Sequence, residues 1–132
     1  MIWLFVVLLG IDLLSKYLFY DINWFNDSIF FIKPILNTGI SRSMPVEYYI
    51  VIPITIIFSI FLIWFWKKRH IDNISFAMLL AGALWNLFDR IIYGGVRDWI
   101  RPWFGPVFNM ADIYITIGVL LYIVNNFTFK KE

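Results

Sequence analysis

The sequence contains no cysteine, which excludes a disulfide framework, a thiolate metal site and a cysteine nucleophile. Charge is scarce too. Asp, Glu, Lys and Arg make up 15% of the 132 residues, and a net charge of +2 is too small and too scattered for a nucleic-acid surface. The first apolar run, residues 1–11, has no basic segment ahead of it and no small-x-small cleavage site behind it, so it is expected to persist as a helix rather than be removed as a signal. No internal repeat or low-complexity tract stands out. Any hydrolytic chemistry in this chain is left to oxygen and nitrogen groups.

What is abundant is apolar. Hydrophobic residues reach 61% and aromatics 21%, far above a soluble domain. The expectation is an all-α polytopic membrane protein whose partners are membrane lipids or lipid-embedded substrates, with no nucleic acid. Four segments, at about 1–20, 48–66, 74–93 and 111–127, match the roughly 20 residues a helix needs to cross a bilayer. They make residues 1–132 a single integral membrane domain, with loops at about 21–47 and 94–110. The second segment is free of charge and runs into Lys67-Lys68-Arg69, a basic stop that marks the cytoplasmic side; Lys130-Lys131 falls on that side as well. Both termini are then inside and both long loops outside. Five Lys/Arg lie in the inside segments against four outside (Lys33, Arg42, Arg97, Arg101), and the inside ones are clustered at helix ends.

The first loop is long and aromatic, carrying Trp24, Phe25, Phe30 and Phe31, and loops of this length usually carry function. Ser28-Ile29-Phe30-Phe31-Ile32 reads as a short strand ended by Lys33-Pro34, and Asn37-Thr38-Gly39 as a turn. The aromatics read equally well as anchors resting at the lipid headgroups.

Two carboxylates, Asp98 and Asp112, stand fourteen positions apart beside the third and fourth apolar segments. A carboxylate near hydrocarbon costs several kcal/mol unless it faces a wet or paired site, so each is a candidate for function. More polar groups collect at the same helix ends. Asp12 and Lys16 are an i,i+4 pair able to neutralise one another; Asn86 and Arg90 are also four apart, with Asp89 between them; Asn109 and Asp112 are three apart. Convergence at one depth predicts a shared wet pocket. Asp112 also reads as a dipole-stabilised residue at a helix start, and Asp12 with Lys16 as a structural ion pair. Asp89 beside Arg90 is expected to stay ionised and structural. Two carboxylates sharing a site hold a single proton between them, which equips one to activate water and the other to protonate a leaving group, as amide hydrolysis requires. Which two of the three pair is open at this level.

Five motifs in order resemble lipoprotein signal peptidase, or signal peptidase II, over nearly the whole chain: Asp12-Leu-Leu-Ser15-Lys16, Asn37-Thr-Gly39, Gly82-Ala-Leu-Trp85-Asn86-Leu-Phe-Asp89-Arg90, Gly94-Gly-Val96-Arg-Asp98-Trp99 and Phe108-Asn109-Met-Ala111-Asp112. The resemblance implies a four-helix bacterial inner-membrane aspartyl protease. Such an enzyme cuts a signal peptide just before a diacylglyceryl-modified cysteine of a prolipoprotein, with no metal or other cofactor; this chain is expected to act as a monomer, with its polar pocket toward the outer leaflet that the topology gives. It assigns catalysis to Asp98 and Asp112, substrate contact or support to Asn37, Gly39, Asn86, Arg90 and Asn109, and structural polar roles to Asp12, Lys16 and Asp89. Two rivals come from other classes: a small proton or ion transporter with a relay through Asp12, Lys16, Asp89 and Arg90, and an inactive module that binds lipidated peptides. Ion flux without peptidase activity, or binding without turnover, would distinguish them.

Overall fold

A computed structural model of the chain describes residues 1–22, 29–39 and 47–128. Helix α1 spans Ile2–Lys16 and widens into a π turn at Tyr17–Asp21; strand β1 follows at Ile32–Asn37, helix α2 at Tyr48–Lys67, helix α3 at Asn73–Tyr93, strand β2 at Val96–Ile100, and helix α4 at Met110–Ile123, which ends in a second π turn at Val124–Thr128. Among the described residues, four stretches are long and apolar enough to cross a membrane: Ile2–Asp21, Tyr49–Lys67, Asn73–Tyr93 and Met110–Phe127. They coincide with the four expected segments to within two residues at each end. The protein is a mostly helical, multi-pass membrane protein with one small antiparallel sheet.

Burial is uneven among the helices. In α3, 56% of the apolar window is buried, against 17% in each of the others, so α3 is the central staff on which α1, α2 and α4 are arranged. Lipid offers no hydrophobic force to drive helices together, and close contact falls to small residues. Gly82 of α3 lies so near α4 that a β-carbon there would sit 2.6 Å from the Ala111 carbonyl oxygen, and one on Gly118 would sit 2.9 Å from Leu79. Asp72 starts α3 by accepting from the Ile74 and Ser75 backbone N–H groups at 3.0 and 2.9 Å, the usual service of an N-cap carboxylate. Gly94 ends it with φ 71°, a left-handed conformation that suits glycine.

The sheet joins the two long loops. β1 and β2 pair antiparallel with Asn37 opposite Val96 and Ile35 opposite Asp98, and the register shifts between Ile32 and Ile35. The strand expected over 28–32 therefore begins where it was expected to end. Lys33 and Pro34 lie inside it, and the irregular register accommodates a proline that cannot donate to the ladder. Ser28 of that expectation, and Trp24 and Phe25 of the aromatic loop, lie outside the described residues, as do Arg42 and Lys130-Lys131. Gly95 explains how the strands meet beyond α3, since a β-carbon there would stand 2.8 Å from the Asn37 carbonyl oxygen.

Candidate active site

β2 turns successive side chains to opposite sides, and its two charged residues use both. Asp98 is 2% exposed and faces a cavity of about 190 Å³ that Asn37, Asn86, Arg90 and Asp112 also line. Asp112 arrives from the first turn of α4, within a reciprocal capping box: its backbone N–H donates to Asn109 Oδ1 at 3.2 Å, while its Oδ2 accepts from the Asn109 backbone N–H at 3.0 Å. The reading of Asp112 as a helix-start carboxylate and the reading as a pocket carboxylate are therefore both satisfied. Its second oxygen, Oδ1, turns to the cavity and accepts from Asn86 Nδ2 at 2.9 Å.

Three asparagine amides knit the two acids together. Asn37 Nδ2 donates to Asp98 Oδ2 at 3.1 Å, and Asn109 Nδ2 donates to Asp98 Oδ1 at 2.7 Å and to Asn86 Oδ1 at 3.1 Å. The Asn37-Thr38-Gly39 turn has a direct consequence here. Gly39 N–H donates to Asn37 Oδ1 at 3.1 Å, which leaves the amide nitrogen aimed at Asp98. Arg90, 8% exposed, donates to the Asn86 carbonyl at 3.3 Å and presents its guanidinium to the same cavity. Burial, and then the charge of Asp112, push the Asp98 carboxyl from 3.8 up to about 7, against the pull of the Asn37 and Asn109 amides and the Lys16 ammonium. Two acids lining one cavity, one of them titrating near neutrality, can hold a single proton between them.

A separate ion cluster braces this arrangement from behind. Lys16, fully buried, bridges Asp12 at 2.6 Å and Asp89 at 3.1 Å. Asp89 in turn holds Arg97 Nη2 at 2.9 Å and the Arg97 backbone N–H at 3.0 Å, and Arg97 Nη1 reaches Asp21 at 2.8 Å. Asp12 closes the set by accepting from the Ala111 backbone N–H of α4 at 2.9 Å. Asp89 thus pairs with Lys16 and Arg97, not with Arg90 as its sequence neighbour suggested. Consecutive helix positions diverge by about 100°, so Asp89 turns to α1 while Arg90 turns to the cavity.

Every residue expected at the site lies in one of these two networks. Asp98, Asp112, Asn37, Gly39, Asn86, Arg90 and Asn109 form the cavity group; Asp12, Lys16 and Asp89 form the cluster behind it. Sequence reasoning missed Asp21 and Arg97, which read only as loop charges. The strand alternation carried a signal, because a pocket-facing Asp98 turns Arg97 to the opposite side, but its partners come from residues 8 and 76 positions away.

The sequence profile of the family described as Signal peptidase (SPase) II matches residues 4–128. The lipoprotein signal peptidase of Actinobacillus succinogenes is 34% identical, over 96% of this chain and 88% of its own. That of Photorhabdus laumondii is 32% identical, over 99% and 89%. Among solved structures, a bacterial membrane enzyme determined by the in meso method at 2.3 Å resolution superposes with a TM-score of 0.78 at 26% identity, covering 99% of this chain and 92% of that one. A second, at 1.9 Å, gives 0.76 and 28%.

Proposed function

The chain belongs to the signal peptidase II family, membrane proteases that remove signal peptides from lipoproteins, and from that premise we propose that Asp98 and Asp112 are its catalytic pair and that the protein is an aspartic endopeptidase. The scissile bond is the amide just before the diacylglyceryl-modified cysteine of the substrate. The observation that carries this reading is the meeting of two carboxylates from separate elements, β2 and α4, at one small cavity.

In the proposed reaction Asp98 holds the shared proton and Asp112 is the ionised member. Asp112 takes a proton from water as the water oxygen attacks the scissile carbonyl carbon, and Asp98 gives its proton to the carbonyl oxygen. As the tetrahedral intermediate collapses, Asp112 passes its proton to the departing amine and the new carboxyl returns one to Asp98, which restores the pair. Donors aimed in advance at developing charge supply much of such catalysis, and the guanidinium of Arg90 and the amide of Asn37 are the groups available at the cavity wall. Asn86 and Asn109 position the acids. The reaction needs no metal or cofactor.

The signal helix reaches the cavity laterally, leaving its acyl chains in the bilayer. The protein resides in the bacterial inner membrane as a monomer, with both termini cytoplasmic and the cavity toward the outer leaflet; the basic Lys67-Lys68-Arg69 turn, at the opposite end of α3 from the cavity, supports that orientation. The relay reading loses its chain of groups, because Asp12, Lys16 and Asp89 close on one another while Arg90 faces the cavity of Asp98 and Asp112.

Asp98→Asn and Asp112→Asn each reach the membrane in normal amount and lose at least ~10³-fold in cleavage of a diacylglyceryl-modified prolipoprotein, toward the upper end of what a single acid or base contributes, because neither acid works alone. Normal processing by either variant sinks the assignment. Cleavage of the lipidated substrate but not of its unlipidated form tests the specificity separately.

A further inference from the structure

At the far end of α3 from the acid pair, about 20–25 Å along the helix, lies a second and larger feature: an open cleft of about 730 Å³ between the α2–α3 turn and the end of α4. Its walls include Trp66, Lys67, Arg69, His70, Asp72 and Asn125. The proposed peptidase reaction uses none of them.

The charges in this cleft are unbalanced. Lys67, Lys68 and Arg69 follow one another in sequence and are exposed, and among the described residues no carboxylate forms an ion pair with any of them. Among the described residues, the one acid lining the cleft is fully engaged in hydrogen bonds. Asp72 Oδ1 accepts from the Ile74 and Ser75 backbone N–H groups, and Oδ2 accepts from Ser75 Oγ at 2.6 Å and Asn125 Nδ2 at 3.1 Å. Trp66 stands rigid at one wall, stacked on Phe76 with ring centroids 4.8 Å apart and its Nε1 donating to Asn73 Oδ1 at 2.8 Å.

Arg69 adds an independent observation. Its φ is 62°, the only positive φ at a non-glycine among the described residues. The turn after α2 is one where glycine is the ordinary choice, and a long cationic side chain there is held at a cost to stability, as happens at sites with a task.

Position names the ligand class. The span Tyr49–Lys67 ends, and the span Asn73–Tyr93 begins, at this turn, so the cleft opens at the level of lipid headgroups whichever leaflet it faces. We propose that the cleft binds the phosphodiester headgroup of an anionic phospholipid, with Lys67 and Arg69 as its cationic contacts and Trp66 as the apolar wall beside the upper acyl chain. Basic pockets between membrane helices suit such headgroups, and Trp suits that depth.

The test is native mass spectrometry of the full-length protein released from detergent micelles containing phosphatidylglycerol, phosphatidylcholine or inorganic phosphate. Phosphatidylglycerol stays bound roughly tenfold better than phosphatidylcholine, and Lys67→Gln and Arg69→Gln each weaken its retention roughly fivefold. Arg69→Gly removes the same charge while placing the favoured residue at a positive φ, so it weakens lipid retention while its thermal midpoint stays the same or rises. Equal retention of the two lipids, wild-type retention by the variants, or binding of inorganic phosphate as tight as that of phosphatidylglycerol overturns the proposal. Peptidase activity is not read in this experiment, so its outcome is independent of the assignment of Asp98 and Asp112.

Discussion

Asp98 and Arg97 are neighbours in sequence with opposite duties, one turned to the cavity and the other into the ion cluster behind it. The amides of Asn37 and Asn109 hold the Asp98 oxygens, while burial and the nearby Asp112 raise its carboxyl to about 7. The sign of the pH dependence follows. Asp98 keeps its proton below that value and loses it above, and the proposed reaction needs the proton in place when water attacks, so kcat/KM falls as pH rises through about 7. Asp112→Asn removes the second cause of the shift and leaves the burial. In carbon-13-labelled protein, the Asp98 carboxyl of that variant titrates below about 7 yet still above 3.8. A titration identical to that of the wild type would show that the two acids do not feel one another.

At the scale of elements, the site depends on how closely α4 can lie on α3. Asn86 of α3 bonds Asp112 of α4 at 2.9 Å, one helical turn from the place where Gly82 meets the Ala111 carbonyl. Gly82→Val inserts methyl groups into that contact and forces the helices apart. The stability cost is about 1–3 kcal/mol, but the catalytic cost is larger, because a misplacement of about 1 Å lowers a rate by roughly 10²-fold. The expected outcome is a folded protein, with a small fall in thermal midpoint and a kcat about 10²-fold lower on lipidated substrate. Unchanged kcat would show that this contact does not set the position of Asp112. Gly94 and Gly95 act similarly between α3 and β2, the first through its positive φ and the second through its approach to Asn37.

Across the whole molecule, Lys16 ties the carriers of both acids to α1. Through Asp12 it reaches the first turn of α4, and through Asp89 and Arg97 it reaches β2. Removing one partner of a buried ion cluster strands the others, at a cost of about 3–5 kcal/mol. Lys16→Met is therefore expected to lower the thermal midpoint in detergent sharply and to reduce peptidase activity, although Lys16 does not line the cavity. Lys16→Met combined with Asp12→Leu, which removes a stranded charge along with the cation, recovers part of the lost stability. An additive double variant would show that the two residues are not energetically coupled.

Local chemistry determined much of this protein. Apolar runs of membrane length set the four spans, the i,i+4 spacing of Asp12 and Lys16 made their ion pair, and Asn37-Thr38-Gly39 shaped its own turn, because each depends on residues only a few positions apart. The cavity group was legible as well, since polar side chains at matching helix ends have little alternative in lipid but to face one another. The start of β1 was not legible, because its pairing with β2 lies more than sixty residues along the chain. Spacing alone did not pick the acids either, which the motif resemblance did, because that choice turns on direction. Only the packing of α1 against α3 decided that Asp89 faces Lys16 and Arg97 while Arg90 faces the cavity, and only the sheet brought Asp98 beside Asp112, since long-range orientation is fixed by contacts that sequence spacing does not contain.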